Sequence, residues 1–373
     1  MSFARADNSV MARWWWTVDK WMLVSLGLLI GVGAVLIMAA SPAVASRVGL
    51  DSFYFVRKQL QILPLAMIVM LGVSMLEPRQ VRALALAGLA MAGGLLCLTF
   101  VVGTEIKGAK RWISLPGMSL QPSEFVKPTL AIVSAWLFAL ARKKEGFPGD
   151  AIAILLYGAT LALLLMQPDI GMAFVVSVVW FAQYFLAGLR VLWVAALGLL
   201  GGGSAVVLYF TFPHFHSRVD RFLDPASGDT YQINTAMEAF MNGGLLGRGP
   251  GEGTVKSGLP DAHSDFIFAV AAEEFGLILC LIVVALYAFV VLRGFSRALQ
   301  ETDLFSLLAV SGLCVQFGVQ ALVNMGSTLH LIPTKGMTLP FVSYGGSSLL
   351  AIALGMGFVL ALSRKRFGAG ETL

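Results

Sequence analysis

Ten long apolar segments most strongly constrain what this chain can fold into. Each is roughly 17–27 residues long, and an α-helix needs about 20 residues to cross the hydrocarbon core of a bilayer. The chain is 58% hydrophobic and 13% charged, with a mean hydropathy of +0.82. An ordinary soluble domain carries about 25% charged residues. We therefore predict an all-α polytopic membrane protein with about ten transmembrane helices, at residues 21–41, 59–76, 82–102, 124–141, 150–166, 171–188, 191–212, 266–292, 304–325 and 346–362.

The polar segments divide this single membrane domain, which covers residues 1–373. We predict a cytoplasmic arm at 1–20, one long extracytoplasmic loop at 213–265 between helices 7 and 8, and a cytoplasmic tail at 363–373. Lys and Arg are more frequent in the connections on the side of the two termini, which favours cytoplasmic termini. The net charge of +5 therefore reflects how Lys and Arg are distributed between the two sides of the membrane, and it does not indicate a nucleic-acid partner.

Three acidic residues lie around the start of the apolar segment 266–292. Asp265 stands at the change from polar to apolar sequence, and Glu273 and Glu274 lie about 12–14 Å deeper if the segment is helical. At about 100° per residue, Glu273 shares a side with Asp265 and Glu274 points away. Carboxylates at membrane depth rarely face lipid. They indicate a wet cavity, or the two glutamates pair with basic residues on neighbouring helices.

The predicted topology places four polar segments, 103–123, 167–171, 213–265 and 326–345, on the outer face. In the first, Lys107, Lys110 and Arg111 precede Trp112. Such a cluster suits a phosphate group beside a flat sugar or lipid face, and it is also typical of a charged loop with an interfacial tryptophan.

The other outer segments carry glycine, proline and isolated charges. Asp169 lies between a proline and a glycine that break the helix, where it either binds a ligand or caps the next helix. Lys335 stands between two prolines, and Gly345–Ser348 open the last apolar segment, where free amide groups can hold an anion. His214 and His216 lack a third ligand, so we predict no metal site there.

Six stretches in this order are similar to the SEDS family (shape, elongation, division, sporulation). The resemblance covers about residues 20–362 and is closer to the division branch than to the elongation branch, because of Thr334-Lys335-Gly336 and Gln320–Asn324. Asp261 and Ser264 depart from it, since glutamate and threonine are common there. The stretches are KGAKRW (107–112), QPSEF (121–125) followed by Lys127, QPDIG (167–171), GGLLGRG (243–249), AHSDFIFAVAAEE (262–274) and PTKGMTLPFVSYGGSS (333–348).

The resemblance implies a function as well as a fold. It implies a peptidoglycan glycosyltransferase that polymerises lipid II into glycan strands, in the bacterial cytoplasmic (inner) membrane at the division septum. The implied partners are a class B penicillin-binding transpeptidase, other divisome membrane proteins and membrane lipid. A lipid II flippase and a non-catalytic divisome scaffold remain the alternatives.

Asp265 matches the aspartate that is essential in the family. We expect it to act as the general base of an inverting transfer in which undecaprenyl pyrophosphate leaves. The sequence contains no dedicated metal cage, and a divalent cation, Mg²⁺ or Mn²⁺, beside the pyrophosphate is compatible with it. The predicted substrate contacts are Lys107, Arg111, Trp112, Arg218, Arg221, Lys335 and Ser343, and the residues predicted to shape the cavity are Glu124, Lys127, Asp169, Glu273 and Asn324.

Overall fold

The computed structural model describes residues 9–106, 109–115, 118–189, 191–223, 231–333 and 336–364. It consists of helices and one small sheet. The helices are α1 Val10–Thr17, α2 Lys20–Arg47, α3 Tyr54–Ser74, α4 Pro78–Val102, α5 Pro122–Lys143, α6 Gly149–Met166, α7 Ile170–Leu186, α8 Val191–Thr211, α9 Pro213–Leu223, α10 Tyr231–Gly243, α11 Ile267–Ala298, α12 Leu304–Thr328 and α13 Gly346–Leu362.

Each of the ten predicted apolar segments coincides with one helix. Seven helices of the described part of the chain, α2 to α6, α11 and α12, are long and apolar enough to cross a membrane, and α7 and α13 are shorter apolar helices. The all-α polytopic fold class is thus confirmed. The count of ten crossings stays a prediction.

The centre of the bundle is formed by α5, α12 and α13. The first two bury most of their apolar window, whereas α3, α4, α6 and α11 bury a much smaller share. Nearly every residue of α13 is buried. The outer helices expose large apolar side chains such as Leu155, Ile68 and Met91, as expected for surfaces that contact lipid.

The segment after α4 forms an antiparallel sheet, although the sequence predicted only a polar connection. Strands β1 Thr104–Ile106, β2 Ala109–Leu115 and β3 Met118–Leu120 lie in the order β1-β2-β3. Thr104 pairs with Trp112, and Ile113 pairs with Leu120. The β-branched and aromatic residues of β2 favour a strand, and the sheet holds Arg111 and Trp112 at a fixed position.

The segment predicted as one long loop, 213–265, is largely structured. It contains α9, α10 and a 3-10 turn at Val255–Ser257. The C-terminal end of α10 docks on α11, which is broken at Gly276. Gly276 has a φ of 75°, a conformation that glycine adopts readily, and the amides of Leu277 and Ile278 donate to the carbonyls of Gly244 and Leu245.

The N-terminal arm is joined to the bundle at the end opposite the sheet. Trp14 is buried, and its Nε1 donates to Ser74 Oγ at 2.8 Å. Asp19 caps α2, and its Oδ2 accepts from Arg293 Nε at 2.9 Å and from Arg297 Nε at 2.5 Å. The start of α2 and the end of α11 therefore lie at one level.

Candidate functional site

A cavity of about 890 Å³ lies at the end of the bundle that carries the sheet. All four polar segments that the sequence assigned to one face contribute to it. Its walls are formed by Tyr54, Phe55, Lys58 and Ile62 of α3, Ala109, Arg111, Trp112, Ser119, Gln121 and Glu124 around the sheet, Pro168, Asp169 and Met172 at the α6–α7 break, Gln232 of α10, Asp261 and 263–266 before α11, and Ser327, 336–338 and 344–348.

Asp265 lies on this wall, just before α11 begins. Its amide donates to the carbonyl of Asp261 at 3.1 Å, and its carbonyl accepts from Asn324 Nδ2 at 2.9 Å. The carboxylate lies against the backbone of Gly336, since a Cβ at that glycine would be 2.8 Å from Asp265 Oδ2. Asn324 Nδ2 also donates to the carbonyl of Met337 at 2.7 Å. Asn324 therefore positions the Asp265 segment and the 336–338 segment together.

Ser343 lies behind the wall, not on it. Its Oγ donates to the carbonyl of Ser264 at 2.6 Å and accepts from the amide of Leu339 at 2.8 Å. The amide of Tyr344 donates to the carbonyl of His263 at 2.9 Å. The hydroxyl of Ser343 is buried and bonded on both sides, so the structure gives it a supporting position where the sequence predicted a substrate contact.

His263 is held in the cavity wall by aromatic rings. Its ring centroid is 4.1 Å from that of Phe55 and 5.2 Å from that of Tyr344. Burial lowers the pKa of His263 from 6.5 to about 4, against the opposing charge of Asp261. The imidazole is therefore neutral at physiological pH, and its Nδ1 is buried with no hydrogen-bond partner among the described residues.

Arg111 of β2 joins the sheet to the break between α6 and α7. Its Nε donates to the carbonyl of Gln167 at 3.0 Å, and its Nη2 donates to the carbonyl of Pro168 at 2.6 Å. Asp169 Oδ2 lies 3.8 Å from Arg111 Nε. Asp169 also caps α7 by accepting from the amide of Met172. Asp169 therefore caps α7, as one of the two sequence hypotheses predicted, and it borders the cavity, where ligand binding stays a prediction.

Glu124 and Lys127 form an ion pair on the first turns of α5. Lys127 Nζ lies 2.8 Å from Glu124 Oε2 and donates to Gln320 Oε1 at 2.9 Å. Glu124 borders the cavity, whereas Lys127 is buried behind it against α12. Gln320 Nε2 donates to the carbonyl of Thr338 at 3.2 Å. The Glu124–Lys127 pair is thereby connected, through Gln320, to the 336–338 segment.

Glu273 faces away from the cavity, contrary to the helical count from Asp265. That count does not apply, because α11 begins only at Ile267. Glu273 accepts three backbone hydrogen bonds of 2.7–2.8 Å, from the amides of residues 254–256. Glu274 pairs with Lys256, which lies in the 3-10 turn and not on a neighbouring membrane helix, where the alternative for the two glutamates predicted their partners. Both carboxylates hold the 249–257 segment against α11.

Four predicted cations fall outside the described part of the chain, in whole or by their side chains. Lys107 and Lys335 lie outside the described residues, and so do the side chains of Arg218 and Arg221, whose backbone belongs to α9. His216 pairs with Asp220 at 2.8 Å. Within the described part of the chain, no group of three or more His, Cys, Asp or Glu side chains could hold a metal ion.

Sequence reasoning missed one cation on the cavity wall. Lys58 of α3 borders the cavity, and its Nζ lies 5.6 Å from the centroid of the Tyr54 ring. Lys58 comes one residue before the predicted segment 59–76. A cation directly before a membrane helix was the sequence feature that could have identified it as a cavity residue. Among the described residues, Lys58 and Arg111 are the lysine and arginine side chains that border the cavity.

Comparison with known proteins identifies the family. The chain matches the sequence profile of the FtsW/RodA/SpoVE cell cycle proteins over residues 20–367. It belongs to this family. A probable peptidoglycan glycosyltransferase FtsW of Caulobacter vibrioides is 47% identical over 99% of this chain and 95% of its own length. A second one, of Geobacter metallireducens, is 35% identical over 94% of this chain and 96% of its own length.

Solved structures of similar chains agree with the FtsW/RodA/SpoVE assignment. One chain comes from a peptidoglycan synthase complex described as coordinating polymerization and crosslinking. It gives a TM-score of 0.76 at 29% identity over 93% of this chain and 97% of that one. The rod shape determining protein RodA of Thermus thermophilus gives 0.68 at 29% identity, over 94% and 97%. These relatives and the apolar helices make the chain a multi-pass membrane protein.

Proposed function

We propose that this chain is a peptidoglycan glycosyltransferase that polymerises lipid II into glycan strands. The observation that carries the proposal is the placement of Asp265 on the wall of a large cavity that also presents Arg111, Lys58 and the N-terminal end of α13. A carboxylate facing cationic groups suits a hydroxyl nucleophile and a pyrophosphate leaving group. Curated relatives of the chain carry the name peptidoglycan glycosyltransferase.

The proposed reaction is one direct displacement. A sugar hydroxyl of one lipid-linked unit attacks the anomeric carbon of another, and Asp265 accepts the hydroxyl proton. The new glycosidic C–O bond forms as the bond from the anomeric carbon to the pyrophosphate oxygen breaks, and the configuration inverts. Undecaprenyl pyrophosphate leaves with the bonding electron pair, so its oxygens gain negative charge that nearby cations stabilise.

The cavity walls offer distinct contacts for the pyrophosphate and for a sugar of the substrate. Arg111 and Lys58 are proposed pyrophosphate contacts, and Trp112 offers a flat apolar face to a sugar. Gly345 and Gly346 at the start of α13 lie on the same wall, no side chain caps this helix, and a helix N-terminus favours an anion. Lys107, Arg218, Arg221 and Lys335 remain candidates from the sequence.

A divalent cation does not have a protein cage in the described residues, because no suitable cluster of ligands occurs there. Mg²⁺ is commonly held by substrate phosphates with one or two carboxylates. Any such ion would therefore be carried mainly by the pyrophosphate, and no step of the proposed reaction depends on it.

Partner and location are part of the proposal. The peptidoglycan synthase complex among the structural relatives couples polymerization to crosslinking, which supports a class B penicillin-binding transpeptidase as partner. The close FtsW relatives support placement at the division septum with other divisome membrane proteins. The distribution of Lys and Arg supports cytoplasmic termini, which would open the cavity to the extracytoplasmic side.

Lipid II polymerisation by the purified protein with its transpeptidase tests the proposal. Asp265→Asn should lower the rate by about 10²–10⁴-fold, since a general base contributes about that much. Asp261→Asn is the matched control, because it also removes a carboxylate from the wall. Its φ of 54° suits asparagine, so the variant should fold and remain active.

The alternatives give different results in the same experiment. Equal polymer from the native chain and Asp265→Asn, with both complexes intact, would refute Asp265 as the base. Absence of polymer from the native chain, together with lipid II translocation in vesicles, would favour a flippase. Absence of both activities, with partner recruitment retained, would favour a scaffold.

A further inference from the structure

The break in α11 can be placed at a definite membrane depth. Asp19 caps α2 where its apolar run begins, and it binds Arg293, the first charge after the apolar run of α11. This pair therefore marks one boundary of the hydrocarbon layer. Leu277, just past the break, lies 16 residues from Arg293. That is about 24 Å along the helix, inside a layer about 30 Å thick.

A second helix, α2, locates the far boundary of the hydrocarbon layer. Ala39 lies 20 residues after Asp19 on α2, about 30 Å along the helix, and thus at the far boundary. Its carbonyl accepts from Lys256 Nζ at 3.1 Å, and this amine also pairs with Glu274. Glu274 lies three residues before Leu277, on the other side of the break at Gly276. The count along α11 therefore places Leu277 about 6 Å inside the hydrocarbon layer, and the count along α2 places the Lys256–Glu274 pair near its boundary.

The segment that docks at the break lies at this depth as well. The amide of Leu277 donates to the carbonyl of Gly244 at 2.9 Å, and the amide of Ile278 donates to the carbonyl of Leu245 at 3.3 Å. These bonds fix residues 244–245 beside the broken turn of α11. The segment reaches this position from α10, within a stretch that the sequence alone assigned to an aqueous loop.

The side chains of this segment are apolar and exposed. Met241 is 82% exposed, Leu245 68% and Leu246 77%. They continue the exposed apolar surface of α11, which contains Leu277, Ile278, Leu281 and Ile282. An exposed apolar surface that is continuous with the lipid face of a membrane helix is a surface for acyl chains.

A basic residue borders the apolar side chains. Arg248 is exposed, and its Nε and Nη2 donate to the carbonyl and Oδ1 of Asn242 at 2.9 and 2.8 Å. The guanidinium is thereby fixed at the edge of the leucine pair. A cation beside apolar side chains matches the boundary between acyl chains and anionic headgroups.

We propose that residues 241–246 form a re-entrant edge that lies in the acyl chains of the leaflet at the cavity end, with Arg248 at the phosphate layer. The edge binds bilayer lipid. It fixes α10, whose Gln232 borders the cavity, and the 249–257 segment, which Glu273 and Glu274 hold, relative to the membrane surface. Contact of this edge with lipid does not depend on the reaction that the cavity performs.

Spin labels at single cysteines test the depth of this edge. Exposed Cys97 is first changed to serine, which leaves buried Cys280 and Cys314. Leu246→Cys is then compared with Leu281→Cys on the lipid face of α11 and with Glu252→Cys on the exposed polar segment. Each labelled full chain is reconstituted in liposomes, and power-saturation electron paramagnetic resonance measures access to oxygen and to a water-soluble nickel chelate.

Oxygen concentrates in acyl chains, whereas the chelate stays in water. The label at 246 should give an oxygen-to-nickel ratio close to that at 281 and several-fold above that at 252. A ratio equal to that at 252 would place the edge in water and overturn the proposal. Low access to both reagents at 246, with normal values at 281, would also overturn it, since it would show that protein covers the edge.

Discussion

Replacement of Asn324 by alanine tests how the proposed base is positioned. Asn324 is fully buried, and its Nδ2 donates to the carbonyls of Asp265 and Met337. A buried carbonyl that loses its donor costs about 1–3 kcal/mol. Asn324 Oδ1 is itself buried with no partner among the described residues, and its removal offsets part of this loss. We therefore expect the free energy of unfolding to fall by about 2–4 kcal/mol.

The same change should act on catalysis through Asp265. Without the shared donor, the Asp265 and 336–338 segments separate, and a displacement of about 1 Å can cost about 10²-fold in rate. We expect kcat for lipid II polymerisation to fall by about 10–100-fold, with little change in KM. Asn324→Asp should lower kcat further than Asn324→Ala at neutral pH. It keeps the shape of the side chain but turns an acceptor toward two carbonyl oxygens. Rates at several lipid II concentrations separate kcat from KM, and thermal unfolding measures stability.

Gln316→Met on the same helix is the matched control. Gln316 is buried about two turns before Asn324, and its Oε1 has no partner among the described residues. This variant should keep both stability and kcat. The positioning argument is refuted if Asn324→Ala is as active as Gln316→Met, or if it raises KM and leaves kcat unchanged.

Three further changes have defined outcomes. Gly336→Ala places a Cβ 2.8 Å from Asp265 Oδ2, and we expect at least about tenfold slower polymerisation; an unchanged rate would contradict that contact. Lys256→Met leaves Glu274 buried without its cation and should lower the free energy of unfolding by about 3–5 kcal/mol. Adding Glu274→Gln should restore most of the lost free energy of unfolding, as measured by thermal unfolding. A double variant as unstable as Lys256→Met would refute the pairing. Burial lowers the pKa of His263 to about 4, so its contribution to stability is complete above pH 6.5 and declines toward pH 4 as the unfolded chain takes up the proton. His263→Phe should flatten that decline in pH-dependent unfolding, and an equal slope in both chains would contradict it.

The membrane helices and part of the cavity wall were predictable from the sequence. Apolar runs about as long as the bilayer is thick determine helices with little influence from distant residues. Isolated charges and helix breaks in an otherwise apolar chain indicate a polar cavity. For this reason Asp265, Arg111, Trp112, Glu124 and Asp169 all border the cavity, as the sequence predicted.

The break in α11 was not predictable, because it depends on a distant contact. The run 266–292 contains no proline, and one glycine in such a run is common in membrane helices. The break becomes stable only because Gly244 and Leu245 supply acceptors for the freed amides. The supporting role of Ser343 was not predictable for the same reason, since its acceptor, the carbonyl of Ser264, lies 79 residues away in the sequence.

The first turn of α13 joins two walls of the cavity. Ser347 Oγ accepts from the amide of Gln121 and donates to the carbonyl of Ser119, both at 3.0 Å, which holds the sheet side. The adjacent Ser348 Oγ lies 2.6 Å from Thr338 Oγ1, which holds the side of Asp265. Sliding α13 along its axis would therefore carry both walls together and preserve the distance between them. A partner that changes the width of the cavity would have to break one of these two serine contacts or act on a wall that they do not hold.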